Sequence, residues 1–231
     1  MNAPRFAIYF TPARQTPLWT FGAQWLGRDD DNAEYDLAPP FKEIPPEEHA
    51  AMTAAPRHYG FHATLKSPFA LADGRSAENL RDALSDFAKN QPPFPGPLLQ
   101  IGEMNRFIAL IPMAENGALG RFASECVRAF DGFRRAETPE QIARRHAQDL
   151  TPRQRSLLAA WGYPFVFEEF RFHMTLTDQL KNGQKKRPLT LLRRHFTEIA
   201  ETPLWLDAIS LFQQPDRGAP FTLAERYLLR G

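Results

Sequence analysis

Two segments of the sequence share the pattern Phe-His-x-Thr-Leu, at residues 61–65 and 172–176. Residues two positions apart on a strand project from the same face about 7 Å apart, so each histidine is accompanied by a threonine hydroxyl. Imidazole titrates near about pH 6.5, so one copy can accept a proton while the other donates one. Hydroxyl groups can donate to phosphate oxygens. We therefore expect His62 and His173 to act as paired general base and acid, and Thr64 and Thr175 to bind phosphate.

Both segments lie in runs of alternating polarity. Residues 58–66 (HYGFHATLK) and 170–177 (FRFHMTLT) place apolar side chains on one face and polar side chains on the other. This period of two predicts two half-buried strands that each turn a histidine to the polar face. Lys66 and Arg171 share these polar faces. They could bind a second phosphate or a carboxylate, or be strand-end cations whose stems cover apolar surface.

A metal site is not complete in this pattern. His58 shares the polar face with His62, but residues four apart on a strand are about 13 Å apart, too far to chelate one ion. The chain has one cysteine, so it can form neither an intrachain disulfide nor a cysteine-rich metal site. We expect no metal and no other cofactor.

The elements around the two histidine strands occur in a repeated order. Each half of the chain predicts a histidine strand, a helix and two strands. In the first half these follow as a helix at 76–90 and a hairpin at 98–103 and 106–113, and in the second as a helix at 188–201 and strands at 204–212 and 221–229. A first strand at 5–10, helices at 18–26, 47–55 and 119–130, and helices starting at Thr138 and Thr151 complete the prediction.

This repetition predicts one domain, residues 1–231, made of two similar lobes. The lobes are expected to correspond to residues 1–115 and 116–231, each with one His-x-Thr strand. Antiparallel hairpins with helices between them indicate the α+β class and not a doubly wound parallel sheet. No glycine-rich nucleotide-binding motif is present.

Charge and hydropathy exclude several classes of protein. The 28 Lys and Arg against 27 Asp and Glu give a net charge of +1, so no strong field attracts nucleic acid or membranes. No stretch approaches the roughly 18 to 20 apolar residues that span a bilayer. A single cysteine fits a reducing compartment, and we expect a cytoplasmic protein with no required protein partner. The basic segment 181–187 could recruit a polyanion or be a solvated loop.

The paired His-x-Thr segments and the repeated order resemble the two-histidine (2H) phosphoesterase superfamily. Within it, FAIYFTP, PLWTFGAQWLGRD, RHYGFHATLKSPF and FRFHMTLT are similar to the branch associated with bacterial phosphonate-degradation operons. The resemblance implies two pseudo-symmetric lobes, each an antiparallel sheet with helices packed outside, around a central cleft. It also implies metal-free hydrolysis by His62 and His173, with phosphate bound by Thr64 and Thr175.

Three functions remain open at this point. The first is hydrolysis of a small cyclic phosphate or phosphodiester, for which a phosphonate context favours a small phosphorylated sugar over a long RNA. The second is a non-catalytic module that binds a phosphorylated ligand or an RNA end in the same cleft. The third is metal-dependent hydrolysis of a phosphate ester. The sequence does not distinguish which histidine is the base, because both have nearly the same neighbours.

Overall fold

The computed structural model of the chain describes residues 3–31, 43–138, 140, 150–181 and 183–231. The strands are β1 (Arg5–Phe10), β2 (Ala63–Ala70), β3 (Phe94–Pro95), β4 (Leu99–Met104), β5 (Phe107–Pro112), β6 (Met174–Thr175), β7 (Trp205–Leu206), β8 (Ala208–Gln214) and β9 (Thr222–Leu228). The helices are α1 (Pro17–Leu26), α2 (Pro46–Met52), α3 (Ala54–Tyr59), α4 (Ala77–Lys89), α5 (Gly117–Phe130), α6 (Pro152–Trp161) and α7 (Lys186–Phe196). Short 3-10 turns lie at Asp131–Phe133, Phe167–Glu169 and Ile199–Glu201.

Seven of the strands form one antiparallel sheet in the order β4-β5-β6-β2-β1-β8-β9. The two strands that follow the histidines, β2 and β6, are neighbours at its centre, and β3 pairs with β7 in a separate ribbon. The α+β class with an antiparallel sheet is confirmed. Each side of the sheet takes strands from both halves of the sequence, so the two sides do not coincide with residues 1–115 and 116–231.

Strand β1 divides the interior into two layers. It turns Phe6, Ile8 and Phe10 toward the main apolar core, which α4 and α5 share, and Ala7 and Tyr9 toward a smaller cluster on the other face. Alternation along one strand therefore places α4 and α5 on one face of the sheet and leaves the other face for the histidines.

Two of the covering helices begin with a side-chain cap. The Ser76 side chain accepts a hydrogen bond from the Asn79 backbone N–H at the start of α4. Thr151 and Gln154 form a reciprocal capping box at the start of α6. Such side chains satisfy backbone donors that have no partner within the helix. The helix predicted to start at Thr138 lies outside the described residues.

The first histidine strand is shorter than predicted. Residues 54–59 form α3, and Gly60, with φ of 82°, ends that helix before β2 begins at Ala63. Glycine adopts this backbone conformation without the penalty that a side chain imposes. His58 therefore lies on a helix, so its predicted position on the strand with His62 is wrong.

The remaining differences concern element ends. The second histidine run pairs only at Met174–Thr175, although Phe172, Met174 and Leu176 are buried and alternate with more exposed residues as predicted. The predicted helix 188–201 ends at Phe196 and is followed by a 3-10 turn. Among the described residues, no helix has the length and apolar character needed to cross a membrane.

Candidate active site

The two His-x-Thr segments meet where β2 pairs with β6. Ala63 and Met174 are Cα partners in this antiparallel pair, and both side chains are buried. Continuing the register by one residue in each direction sets His62 opposite Thr175 and Thr64 opposite His173. Directly opposed side chains have Cβ atoms about 4.5–5.5 Å apart, and diagonal neighbours are about 7–8 Å apart. The histidines are therefore diagonal neighbours, each opposite the threonine of the other segment.

A cavity of about 570 Å³ lies over this arrangement, and all four of these side chains line it. The threonines and histidines are half-buried, in contrast to the buried residues between them. Tyr59, Phe107 and Tyr163 are among the other lining residues. The cleft is thus bounded by aromatic rings and contains both imidazoles and the hydroxyl groups of Thr64 and Thr175.

His62 is fixed by contacts on both ring nitrogens and on its ring face. Nδ1 lies 2.9 Å from the Gly60 carbonyl oxygen, and Nε2 lies 3.2 Å from Thr64 Oγ1. Because a carbonyl oxygen only accepts hydrogen bonds, Nδ1 must carry the proton, and Nε2 is the basic nitrogen of the neutral ring. The Tyr9 ring stacks on the imidazole with centroids 3.7 Å apart and planes 21° apart.

His173 has the corresponding arrangement. Its Nδ1 lies 2.7 Å from the carbonyl oxygen of Arg171. Arg171 precedes His173 by two residues, just as Gly60 precedes His62. The same argument therefore leaves Nε2 as its basic nitrogen. The Phe107 ring lies 5.8 Å from the imidazole centroid at a tilted angle. Both histidines are oriented by their own backbone, with no carboxylate involved in these contacts.

Hydrogen bonds with other elements hold the short strand β6 in place. The Ile108 backbone N–H donates to Thr177 Oγ1 at 2.9 Å, and Trp25 Nε1 donates to the Leu176 carbonyl oxygen at 2.6 Å. Asp178 accepts from the Ala55 backbone N–H at 3.1 Å. The second histidine is thus positioned by β5, α1 and α3, although its own strand has only two paired residues.

Burial sets the charge of both histidines. The pKa of His62 is lowered to about 4, mainly by desolvation. The bond to the Gly60 carbonyl opposes the lowering, and the charges of His173 and Arg28 contribute to it. Burial also lowers the pKa of His173, against the opposing effect of its bond to the Arg171 carbonyl. Both rings are therefore neutral at pH 7 in the free protein. Because the Arg28 charge also lowers the pKa of His62, whereas burial alone lowers the pKa of His173, the pair takes its first proton on His173.

Lys66 does not reach the cleft. The pairing of β1 with β2 shifts between Ile8–Lys66 and Tyr9–Thr64, so one extra residue of β2 bulges there. A bulge of one residue reverses the alternation beyond it and turns Lys66 to the helix face. Its Nζ is 3.0 Å from Asp131 Oδ1, and only 3% of its side chain is exposed. The predicted role of Lys66 in substrate binding does not fit this position.

Arg171 also lies away from the histidines. It precedes the paired part of β6, and its Nη1 donates to the carbonyl oxygens of Glu168 and Phe170 at 2.8 Å. Its exposed side chain lines a separate groove with Phe167 and Phe170. The guanidinium turns back on the preceding 3-10 turn, because the segment is not yet a strand. The backbone carbonyl of Arg171 contributes to the site, but its side chain does not.

Residues that the sequence analysis missed complete the cleft. Tyr9 is the Cα partner of Thr64 on the neighbouring strand, and Arg5 lines the same cavity from the start of β1. The alternation of Arg5, Ala7 and Tyr9 along β1 could have placed the two on one face, but it did not indicate which face carries the histidines.

The other basic residues considered from sequence have separate contacts. His58 Nε2 accepts a hydrogen bond from the Gln214 amide at 3.0 Å. Lys185, within the basic segment 181–187, binds Glu103 at 2.9 Å. Within the part of the chain that the structure describes, no group of three or more His, Cys, Asp or Glu side chains could hold a metal ion.

The sequence matches a family model described as "Protein of unknown function (DUF1045)" over residues 64–222. Two curated relatives are named ribose 1,5-bisphosphate phosphokinase PhnN. The relative from Janthinobacterium sp. (strain Marseille) is 35% identical over 98% of this chain and 51% of its own length. The relative from Laribacter hongkongensis (strain HLHK9) is 33% identical over 95% of this chain and 50% of its own length. The chain therefore spans about half the length of these relatives.

Solved structures also align with the chain. E. coli LigT complexed with 3′-AMP is 16% identical, with 100% of both chains covered and a TM-score of 0.44. The protein TT0787 of Thermus thermophilus is 15% identical, with 98% of both chains covered and a TM-score of 0.45.

Proposed function

The chain belongs to the DUF1045 family, and we propose that it is a phosphoesterase that hydrolyses a small cyclic phosphate or phosphodiester without a metal or other cofactor. One observation carries the proposal. The pairing of Ala63 with Met174 brings two His-x-Thr segments together, and each histidine is held by Nδ1 so that Nε2 is the reactive nitrogen. Paired imidazoles with adjacent hydroxyls suit acid and base catalysis on a phosphate group.

In the proposed reaction, the phosphate group lies between the two Nε2 atoms, and the Thr64 and Thr175 hydroxyls donate to its non-bridging oxygens. His62 accepts a proton from water, and the water oxygen forms a bond to phosphorus. As the bond from phosphorus to the leaving oxygen breaks, His173 donates its proton to that oxygen. The product is a phosphate monoester with a new hydroxyl group. The Gly60 and Arg171 carbonyls stabilise each imidazolium through the Nδ1 proton.

The assignment of base and acid follows from the electrostatics of the pair. Burial, together with the charges of a protonated His173 and of Arg28, lowers the pKa of His62 to about 4. His62 is therefore the neutral base when the pair holds one proton, and His173 is the acid. A bound phosphate anion raises the pKa of both rings, because a nearby negative charge favours the protonated form. Substrate binding thus supplies the charge state that catalysis requires.

The proposal extends to the substrate class and the cellular role. The relatives from Janthinobacterium and Laribacter are named for phosphorylation of ribose 1,5-bisphosphate, which supports a phosphorylated sugar over an RNA end. We also propose a role in phosphonate catabolism, as the sequence resemblance implies, and a cytoplasmic location, as the single cysteine implies.

The test is hydrolysis, in the presence of a chelator, of ribose 1,2-cyclic phosphate, nucleoside 2′,3′-cyclic phosphates and a short 2′,5′-linked RNA. We expect turnover by the wild type and a loss of about 10² to 10⁴ in kcat/KM for both His62→Ala and His173→Ala. His195→Ala is the matched control, since His195 is exposed on α7. Equal rates for all variants would refute the paired-histidine mechanism. Binding without turnover would favour the non-catalytic module, and activity that requires a divalent ion would favour metal-dependent hydrolysis.

A further inference from the structure

A second cavity, of about 210 Å³, adjoins the catalytic cleft and is lined by four arginines. Arg5, Arg134, Arg135 and Arg217 line it, and we call it the arginine pocket. Glu137 is the one carboxylate among the described lining residues. Four guanidinium groups and one carboxylate give the pocket a net positive charge. Although the whole chain is nearly neutral, this pocket has a local positive charge that can attract an anion.

Arg5 joins the two cavities. Arg5 and Pro68 line both the catalytic cleft and the arginine pocket. The Arg5 guanidinium is oriented by Gln214, which accepts from Nε at 2.7 Å, and by the Phe221 ring, 5.3 Å from Cζ. A positioned guanidinium loses less rotamer freedom when it binds an anion.

The other arginines come from two segments that are distant in sequence. Arg134 is held by Asp131, whose Oδ1 is 2.9 Å from its Nε. Arg135 is half-exposed and lies 3.6 Å from the fully exposed Asp73, an ion pair that solvent weakens. Arg217 is exposed in the turn between β8 and β9. Arg135 and Arg217 can therefore turn to a ligand at little cost to the fold.

The distance along β1 indicates the size of the occupant. Tyr9, which stacks on His62, is four residues from Arg5 on one face of the strand, which corresponds to about 13 Å between Cα atoms. Arg5 and His62 both line the catalytic cleft. A phosphate at the histidines and a second phosphate at the arginines can thus belong to one small molecule.

We infer that the arginine pocket binds a phosphate monoester of the substrate, so that the substrate of the proposed reaction is a small cyclic phosphate with a second, terminal phosphate. The inference rests on the proposed function. Guanidinium groups bind phosphate oxygens through paired, charge-assisted hydrogen bonds. A monoester carries nearly two negative charges at pH 7 and a phosphodiester carries one, so a cluster of four arginines favours the monoester over an RNA backbone.

The experiment compares ribose 1,2-cyclic phosphate with its 5-phosphorylated form. For the wild type we expect kcat/KM to be at least about 100-fold higher with the 5-phosphate, since each charge-assisted contact contributes about tenfold. In the double variant Arg135→Gln, Arg217→Gln we expect the ratio of the two values to fall about tenfold or more. Arg121→Gln, an exposed arginine on α5 outside both cavities, is the matched control and keeps the wild-type ratio.

A calorimetric titration with ribose 5-phosphate, with ribose as the blank, separates the two proposals. Binding by the wild type that weakens in the double variant, and not in Arg121→Gln, supports the arginine pocket even if no cyclic phosphate is hydrolysed. Hydrolysis of the unphosphorylated compound with a wild-type ratio near one overturns the inference and leaves the proposed function intact. The inference is also overturned if kcat/KM is higher for a dinucleotide with a 2′,3′-cyclic end than for the 5-phosphorylated form of ribose 1,2-cyclic phosphate.

Discussion

His62 and His173 are held by the same contact, from Nδ1 to the carbonyl oxygen two residues earlier, at 2.9 and 2.7 Å. Each contact fixes the ring orientation and the tautomer. In both rings, Nε2 is therefore the nitrogen available to a molecule in the shared cleft. Their aromatic neighbours differ. Tyr9 stacks on His62 at 3.7 Å, whereas the Phe107 ring is 5.8 Å from His173 and tilted. The pair is thus similar in orientation and unequal in environment, which is the basis of distinct roles.

The acid role proposed for His173 predicts a dependence on the leaving group. A p-nitrophenolate leaving group needs no proton, so His173→Ala should retain much more activity on a p-nitrophenyl phosphodiester than on an alkyl diester. His62→Ala should lower kcat/KM by about 10² or more on both substrates, because the attacking water still requires a base. The measurement is kcat/KM for the two substrates with each variant. If His62→Ala is the variant that recovers with the good leaving group, the roles are reversed.

The lowered pKa values predict an acidic profile for the free enzyme. His62 must be neutral, so kcat/KM should rise with pH through the His62 pKa of about 4. His173 must be protonated, and burial lowers its pKa below the ordinary 6.5. The value of kcat/KM should therefore fall as the pH rises through the His173 pKa, at a pH below 6.5. In the complex the phosphate raises both pKa values, so the profile of kcat should lie at higher pH. Coincident profiles for kcat and kcat/KM would contradict this.

Stacking predicts that the ring of Tyr9, and not its hydroxyl, positions His62. Tyr9→Phe preserves the stacked ring and should lower kcat by less than about threefold, whereas Tyr9→Leu should lower kcat about tenfold, in line with about 0.5–1.5 kcal/mol for an aromatic pair. Rates at saturating substrate are measured, with circular dichroism to confirm that both variants fold. A large loss in Tyr9→Phe would assign the role to the hydroxyl instead.

The sequence could predict the four residues at the centre of the site, because their pattern is duplicated and strand alternation separates His62 from the apolar Phe61. It could also predict α4 and α6, since Ser76 and Thr151 are favourable capping residues followed by helical spacing. These features depend on local chemistry, which a single segment contains.

Features that depend on pairing between distant segments could not be predicted. The bulge that turns Lys66 away from the cleft appears only when β2 pairs with β1. The short helix before Gly60 contains residues whose alternation predicts a strand, and tertiary contacts decide between the two. Likewise, the arginine pocket combines residues from the start of β1, from 134–135 and from 217, and no spacing in the sequence relates them.

The buried pair of Lys66 and Asp131 predicts unequal costs for removal of either partner. Burial lowers the pKa of Lys66, and its ammonium contacts Asp131 and the Val127 carbonyl at 3.0 and 3.4 Å. Asp131→Asn leaves a buried ammonium without its anion and should cost about 3 kcal/mol of unfolding free energy. Lys66→Met removes that charge, keeps an apolar chain of similar length and leaves Asp131 paired with Arg134, so it should cost less than about 1 kcal/mol.

Urea unfolding at pH 7 measures both variants, with the slope of the transition checked for constancy. The double variant Lys66→Met, Asp131→Asn should be more stable than Asp131→Asn alone, because no unpaired ammonium remains. An equal loss in the two single variants, or a double variant no more stable than Asp131→Asn, would show that the ion pair is not what holds Lys66 against α5. In that case the helix contacts of β2, and not the charge, would fix the bulge beside the candidate site.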